Sequence, residues 1–461
     1  MFHKYKTIHL IGIGGINVSA IAKLLLSQGK IVSGFDLVKS EITDELIQLK
    51  ADISTENAGK LSESVDFVIY SEAVPEDDPQ RVEAKSRGIK QISAFQFWGE
   101  YAKNKKVIAV SGTNGKSSTT ALIGRALEKN NFDPTVVVGT KVLEWNSNIR
   151  LGKSEWLVIE ADEYHAHMLE FKPYIAVITN ISPDHLDYYK DIDDIVNHFQ
   201  KWVDSIPKDG FLILNRDDQA SKRLNLNCNI KKFGVNGSQE IRSAGVTTKP
   251  EYNGNKGILR FNIVDDLIDW GEVWAPSPGK HTISNIVAAA TAACALGIDK
   301  RKIVRSLRDF QGTWRRFEFI GEYNGAVIIS DYAHHPDGIR TTLEAAREWY
   351  PFKRIILLYQ PHQHNRTKNL FDDFVTAFSE ADELILAEIY DVAGREEGED
   401  QSISSKDLVK SITRPNADYV TYAPDLESAE QILKDKIKPE DIVIIMGAGD
   451  VDNVARKLIK N

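Results

Sequence analysis

The run Val107 to Thr120, VIAVSGTNGKSSTT, sets Lys116, Ser117 and Ser118 directly behind Gly112-Thr113-Asn114-Gly115. Four apolar residues, Val107 to Val110, come before the turn, and a helix-compatible run from Thr119 to Asn130 follows it. That order reads as buried strand, glycine-rich turn and helix start. Backbone N–H groups at such a turn can close on an anion, and the helix N-terminus adds positive potential. Lys116 would reach the outer phosphates of a nucleotide, and the Ser117 hydroxyl would ligate Mg²⁺. The stricter phosphate-loop pattern has a glycine where Val110 stands, so this is a shortened variant, Gly-Thr-x-Gly-Lys-Ser. A plain turn with a surface lysine would leave the order of strand, loop, lysine, hydroxyl and helix unexplained. ATP-type nucleotide binding is therefore expected.

Carboxylates follow in the right places. The strand-like run Trp156 to Ile159 meets Glu160-Ala161-Asp162-Glu163, and Tyr174 to Thr179 leads through Asn180 to Asp184-His185-Leu186-Asp187. Ligands of open parallel sheets sit beyond the carboxyl ends of the strands. Mg²⁺ takes oxygen ligands and keeps several waters, so one or two protein ligands beside the phosphates suffice. Glu160 is the first ligand candidate. For His185, spacing leaves metal ligation and a hydrogen bond to a neighbouring carboxylate equally open. The last third of the chain repeats the pattern. Val327 to Ser330 ends in Asp331-Tyr332-Ala333-His334-His335-Pro336, and Arg354 to Tyr359 ends in Gln360-Pro361-His362-Gln363-His364-Asn365-Arg366. Glu383 to Ala387 leads to Glu388 and then Gly394-Arg395-Glu396-Glu397, and Asp441 to Met446 leads to Gly447-Ala448-Gly449-Asp450. Four of the 11 histidines lie in the first two of these loops and mark the lip of a site, with spacing unlike that of a closed zinc centre.

The elements that must hold these residues suggest an α/β protein of three domains. In the first, about 1–105, strand Thr7 to Ile11 turns through Gly12-Ile13-Gly14-Gly15 into a helix over 16–28. A second strand, Ile31 to Phe35, ends in Asp36, placed to meet a ribose in a Rossmann-like unit. Asn17 occupies the last glycine position of the dinucleotide pattern, so a single nucleotide diphosphate fits as well as a dinucleotide. Ser71 follows a strand over 66–70, a helix is expected over 79–87, and 101–106 reads as a linker. The second domain, about 106–314, carries the phosphate loop on a parallel sheet. A strand over 211–214 follows, then a small β-rich extension over 228–275 marked by Asn236-Gly237 and Asn253 to Gly257, and an alanine-rich helix over 281–296 that bears Asn285. The third, about 315–461, alternates strands and helices without hairpin turns, which argues for a second Rossmann-like, doubly wound parallel sheet.

Composition narrows the function classes. A chain of 461 residues is too long for one typical core. Its formal net charge of −9 comes with no basic block, which disfavours nucleic-acid binding. Cys228 and Cys294, the only cysteines, form no metal or redox motif and suit a reducing cytoplasmic setting. No signal peptide, membrane segment or membrane partner is expected.

Taken jointly, the motifs resemble those of the Mur ligases, the ATP-dependent amide-bond formers of peptidoglycan precursor synthesis. The resemblance spans essentially the whole chain. It rests on Gly12 to Gly15, Gly112 to Ser117, Glu160 to Glu163, Asn180 with Asp184 to Asp187, Arg315-Arg316-Phe317, Asp331 to Pro336 and Gly447 to Asp450, with Gln360-Pro361-His362, Arg366-Thr367 and Ala393 to Glu396 narrowing it further. It implies a UDP-sugar-binding first domain, an ATPase second domain and an amino-acid-binding third domain. It implies that MgATP phosphorylates the lactyl carboxylate of UDP-N-acetylmuramic acid and that the amine of L-alanine displaces phosphate from the acyl phosphate. Ser117, Glu160 and His185 match the family's metal positions. Lys116 and the loop residues Gly112 to Ser118 match its phosphate site, and Asn285, Arg316 and Asp331 its nucleotide contacts. Gly12, Gly14, Gly15, Asp36 and Ser71 fall in the UDP-sugar domain. Tyr332, His334 and Arg366 would line the amino-acid pocket, where an arginine fork suits an α-carboxylate. A monomer or weak homodimer is expected.

Four positions depart from the family pattern. Asn114 replaces a histidine, Ser117 a threonine, and Thr282 an asparagine; Gln363 replaces an arginine after Gln-Pro-His. The carboxylate motif also runs on as Glu163-Tyr164-His165. Gln363 bears on which amino acid is taken more than on the reaction. Rival readings are a recycling ligase that adds a preformed peptide to the same UDP-sugar, a UDP-sugar-binding ATPase or sensor without ligation, and a nicotinamide-dependent oxidoreductase, which the broken glycine pattern disfavours.

Overall fold

The computed structural model describes residues 2–56, 60–185, 188–235, 241–247, 258–265, 268–390, 402–412 and 419–460. Asp187, Asn236-Gly237, Asn253 to Gly257 and Ala393 to Glu397 lie outside them. The chain divides into two compact units. One comprises Met1–Ala244, Asn262–Val273 and Ile283–Arg308, and the other Gly245–Phe261, Trp274–Thr282 and Asp309–Asn461.

The first unit opens with a five-stranded, all-parallel sheet in the order Asp52–Ser54, Ile31–Phe35, Thr7–Ile11, Phe67–Tyr70, Lys90–Ser93. Every residue of Thr7–Ile11 is buried, and so are Val18 to Leu25 of the helix Ile16–Ser27. Strands covered on both faces read as continuous apolar runs, which is why they were legible. A ten-stranded sheet follows. At its centre Lys106–Ser111 lies between Ile175–Ile178 and Trp156–Glu160, parallel to both. The phosphate-loop strand is thus flanked by the two strands whose ends carry the carboxylates. At one edge Thr135–Val142 pairs antiparallel with Ser147–Arg150, a hairpin the sequence pattern did not reveal. The β-rich extension, from Asn229–Gly234 to Ile268–Ala275, continues the other edge of the same sheet. The helix Ala94–Ala102 and the strand at Lys106 shorten the expected linker to residues 103–105.

The second unit is built on a six-stranded sheet in the order Glu318–Tyr323, Ala326–Asp331, Ile442–Met446, Ile355–Tyr359, Glu383–Ala387, Val420–Ala423. Its first pair is antiparallel and its other pairs are parallel. The expectation of a third domain free of hairpins is corrected here. Asn324 (φ 50°) and Gly325 (φ 75°) make the left-handed two-residue turn of a hairpin, chemistry that the Asn-Gly pair carries. No helix among the described residues is long and apolar enough to cross a membrane.

Within the first unit, side chains bind the opening sheet to the ten-stranded one. Lys23 Nζ donates to Glu45 Oε2 (2.9 Å), Asn148 Oδ1 (3.1 Å) and Ser147 Oγ (3.2 Å). Asn148 Nδ2 in turn donates to Ile16 O and Ser19 Oγ. Asn17, the residue that breaks the glycine pattern, accepts from Trp98 Nε1 at 2.6 Å. Lys23→Ala strips a buried acceptor, Asn148 Oδ1, of its partner. An orphaned buried group costs about 1–3 kcal/mol, so an unfolding free energy lowered by that amount, read as a lower urea midpoint, is expected, and an unchanged midpoint would deny the tie any role.

Candidate active site

The phosphate loop is shaped by two glycines in left-handed backbone, Gly112 (φ 131°) and Gly115 (φ 87°). A Cβ on Gly112 would lie 2.2 Å from Thr179 Oγ1, and one on Gly115 would lie 2.4 Å from Asn285 Oδ1, so neither position has room for a side chain. The loop is clamped by the end of the neighbouring strand. Thr113 N–H donates to Asn180 O (3.1 Å), Asn114 N–H to Asn180 Oδ1 (3.1 Å), and Thr179 Oγ1 and Asn180 Nδ2 both donate to Asn114 O (2.7 and 2.8 Å). The position that departs from the family, Asn114, is therefore held through its backbone. Asn285 is buried behind the loop, where its Oδ1 accepts from Thr119 Oγ1 at 3.3 Å. In this structure it buttresses the turn.

Gly115 caps the helix Lys116–Lys129 without any side-chain acceptor, and Gly15 does the same for Ile16–Ser27. Helices Glu41–Gln48, Pro79–Ser86, Ala94–Ala102 and Ile192–Val203 of this unit are capped instead by Ser40, Asp78, Ser93 and Asp191. The two glycine-turn helices keep first-turn N–H groups that an anion can take. At the first turn the Gly12 to Gly15 N–H groups are already used by Phe35 O, Asp36 Oδ2 and Gly12 O. Asp36 accepts the Gly14 N–H at 2.8 Å and so braces the turn, and Ser71 lies against Gly12.

Lys116 reaches back under its own loop. Its Nζ donates to Gly112 O (2.9 Å) and to both Glu163 oxygens (2.9 and 2.8 Å), with 18 % of the lysine and 4 % of the glutamate side chain exposed. Burial pulls the lysine down, but Glu163, Asp162 and Glu160 outweigh it and hold the ammonium above its usual range. Burial pushes the Glu163 carboxyl upward, against the pull of Lys116. Ser117 is buried in the first helical turn and Ser118 half-buried beside it. Glu160 accepts the Gly139 N–H at 2.5 Å. His185, in left-handed backbone (φ 54°), stacks on Tyr164 at 4.3 Å and sets Nε2 3.9 Å from Glu163 and 3.8 Å from Asp184. Ligand atoms of Glu163, Asp184 and His185 all lie within 4.8 Å of one another. These oxygen donors and one imidazole beside the loop fit a hard divalent cation. Spacing points to Glu160 first; Glu163, three residues on in the loop after the strand, meets Lys116 only once the chain is folded.

In the second unit, Asp331 is consumed by structure. One oxygen accepts Phe317 N–H (2.7 Å), and the other accepts Ala333 N–H (2.9 Å) and Thr342 Oγ1 (3.3 Å). It thereby fixes the loop that carries Arg315 and Arg316, whose guanidinium carbons both lie 5.0 Å from the Tyr332 ring. His334 Nδ1 faces Tyr332 O at 3.1 Å. His334 and His362 rings are 6.2 Å apart, and Arg366 Nη1 lies 3.4 Å from His362 Nδ1. Tyr332 and His334, after Ala326–Asp331, are thus gathered with Arg366, after Ile355–Tyr359, across the intervening strand Ile442–Met446. His362, one of the four lip histidines, joins them, as does Tyr390, which has no signal in the sequence.

Among the described residues, burial lowers four imidazoles, His167 and His281 among them. Burial pulls His9 below its ordinary value against the raising effect of Gln80, and burial with the Arg366 charge draws His334 down to about 3. A histidine whose folded pKa is depressed adds stability above its unfolded pKa, near 6.5, and loses it as pH falls toward the folded value. Stability to urea is therefore expected to decline as pH falls below about 6.5, and His334→Asn should flatten that decline. A stability that rises on acidification would contradict this.

Three family descriptions match successive segments: Mur ligase family, catalytic domain, over residues 7–106; Mur ligase middle domain over 110–293; and Mur ligase, glutamate ligase domain, over 315–449. The UDP-N-acetylmuramate–L-alanine ligase of Clostridium tetani is 40 % identical, over 98 % of this chain and 97 % of that one. Its counterpart in Clostridium acetobutylicum is 39 % identical over the same shares. Among solved structures, the UDP-N-acetylmuramate-alanine ligase of Thermotoga maritima superposes with a TM-score of 0.83 at 25 % identity, covering 98 % of each chain. A murein peptide ligase of Psychrobacter arcticus shares the fold, at TM-score 0.74 and 21 % identity over 99 % and 98 %. With all three family descriptions matched in succession and relatives near 40 % identity over almost the whole chain, the chain belongs to the Mur ligase family.

Proposed function

We propose that this chain is an ATP-dependent ligase that joins L-alanine to the lactyl carboxylate of UDP-N-acetylmuramic acid in the cytoplasm, through an acyl phosphate. The observation that carries the reading is Lys116 poised under a clamped phosphate loop and paired with Glu163, which clusters with Asp184 and His185. The full-length likeness to L-alanine ligases supplies the substrates. Residues 1–105 are assigned to the UDP-sugar, 106–314 to ATP and 315–461 to the amino acid.

Phosphoryl transfer needs positioning and charge neutralisation more than covalent help. Lys116 exchanges Glu163 for the outer phosphates, while N–H groups of the loop and of the first helical turn, from Gly112 to Ser118, orient them. Ser117, Glu160 and His185 would hold a Mg²⁺ ion, with Glu163 and Asp184 beside His185, and the ion would supply Lewis-acid neutralisation of the transferred charge. Gly12, Gly14, Gly15, Asp36 and Ser71 shape the turn from which the helix Ile16–Ser27 offers its N–H groups to the UDP diphosphate. Toward the nucleotide, Asn285 contributes in the first unit by backing the phosphate loop, and in the second unit Arg316 is offered from the loop that Asp331 fixes. Arg366 takes the amino acid's carboxylate. A carbonyl only accepts, so His334 donates from Nδ1 to Tyr332 O and offers Nε2 as an acceptor. At about 3 its pKa lies well below that of any amino acid's ammonium, so His334 orients the amine rather than stripping its proton.

The test is ADP release with MgATP and UDP-N-acetylmuramic acid against L-alanine, glycine, L-serine and a tripeptide, with product mass as the check. Release that depends on L-alanine is expected. Release with the tripeptide alone would move the assignment to a recycling ligase, and release without any amine would leave an ATPase or sensor. Lys116→Ala should lower ADP release by about 100-fold or more, since it removes a charged donor from the transition state. Undiminished release would sink the site.

A further inference from the structure

Arg366 is a long side chain, and an anchor for a carboxylate must itself be held. Its Nη1 lies 3.4 Å from His362 Nδ1 and 3.5 Å from His362 O. A guanidinium can only donate, so Nδ1 accepts and His362 is the Nε2–H tautomer. The imidazole is fixed by Tyr390, whose ring stacks on it at 5.6 Å and 23°. The backbone of Tyr390 is tied down on both sides. Its N–H donates to Pro361 O (2.9 Å), its carbonyl accepts from Gln363 N–H (3.2 Å), and it forms an isolated parallel bridge with His362. Against the same ring lies Gly449, where a Cβ would stand 2.6 Å from Tyr390 Cγ. The absence of a side chain at 449 is what leaves the ring its place. Gln363 joins the same device through its backbone. At φ 71° it turns its N–H to Tyr390 O, which any residue tolerant of that backbone can do, so the replacement of the family's arginine spares this function.

We propose that Tyr390 is a positioning residue, which by stacking on His362 fixes the imidazole that holds Arg366 and so sets how tightly the amino acid is bound. This rests on Arg366 binding the amino acid's carboxylate. An aromatic pair of this kind is worth enough to change affinity by roughly 3- to 10-fold. Tyr390→Leu should therefore raise KM for the amino acid by about that factor, with KM for ATP and for the UDP-sugar unmoved and the melting temperature kept. Tyr390→Phe, which retains the stack, should restore the wild-type value. Gly449→Ala, which pushes on the ring without removing it, should raise the same KM.

Steady-state kinetics on the full chain decide this, together with ¹⁵N-histidine NMR of His362. A wild-type enzyme that turns over with an amino acid, beside an unchanged amino-acid KM in Tyr390→Leu, would overturn the proposal alone. A rise shared by all three substrates would overturn it too, because damage would then be general. If the wild type ligates no amino acid, the role of Arg366 falls, and the spectra still decide the stack. Shifted His362 ring ¹⁵N resonances in Tyr390→Leu, with Tyr390→Phe like the wild type, support it, and resonances unchanged in both overturn it.

Discussion

A buried cation needs an anion within reach, and at the centre of the first unit that pair is Lys116 and Glu163. Removing one partner of such a pair costs about 3–5 kcal/mol, because the other is left charged out of water. The geometry around the pair follows from that constraint. The lysine can lie beneath the loop only because Gly112 and Gly115 fold the backbone over it, and those glycines fit only because Thr179, Asn180 and Asn285 fill the space behind. A nucleotide phosphate can take the place of Glu163 without leaving the lysine unpaired. The loop is thus stable in the form seen and suited to exchange its internal anion for an external one.

The second unit works by the same rule with different groups. Asp331 satisfies three donors, and the segment it fixes, with Arg315 (φ 57°) and Phe317 (φ 46°) in left-handed backbone, carries two arginines to the Tyr332 ring. Arg315 N–H is itself held by Glu318, which Arg456 grips through two nitrogens. Rigid backbone at the strand ends and long cationic side chains above it suit a site that must orient anionic partners before chemistry begins.

Much of this was legible in the sequence because parallel strands buried on both faces leave unbroken apolar runs. Thr7–Ile11, Ile31–Phe35 and Glu383–Ala387 could be read to the residue. The phosphate loop was legible because its chemistry is local: strand, turn, lysine and hydroxyl are neighbours in the chain. What was missed is nonlocal or depends on a turn. Thr135–Val142 carries Gly139 and Lys141 in its apolar run, and its partner Ser147–Arg150 is short and polar. The Asn324-Gly325 turn was passed over amid parallel units. Asp36, expected at a ribose from its distance to the glycines, also accepts the Gly14 N–H, a contact that spacing alone does not show. Glu163 and Tyr390 have no spacing signature, since their partners lie 47 residues away at Lys116 and in the loop after another strand.

The central claim is that this loop and its carboxylates pass a phosphoryl group to a carboxylate. It is tested most directly by giving the protein UDP-N-acetylmuramic acid labelled with ¹⁸O in the lactyl carboxyl group, with MgATP and L-alanine, and weighing the phosphate released. Phosphate that carries an oxygen from the carboxyl group is the expected result, because the acyl phosphate hands that oxygen over when the amine attacks. Phosphate bearing only solvent oxygen would mean that ATP is hydrolysed by water and that the carboxylate is never activated.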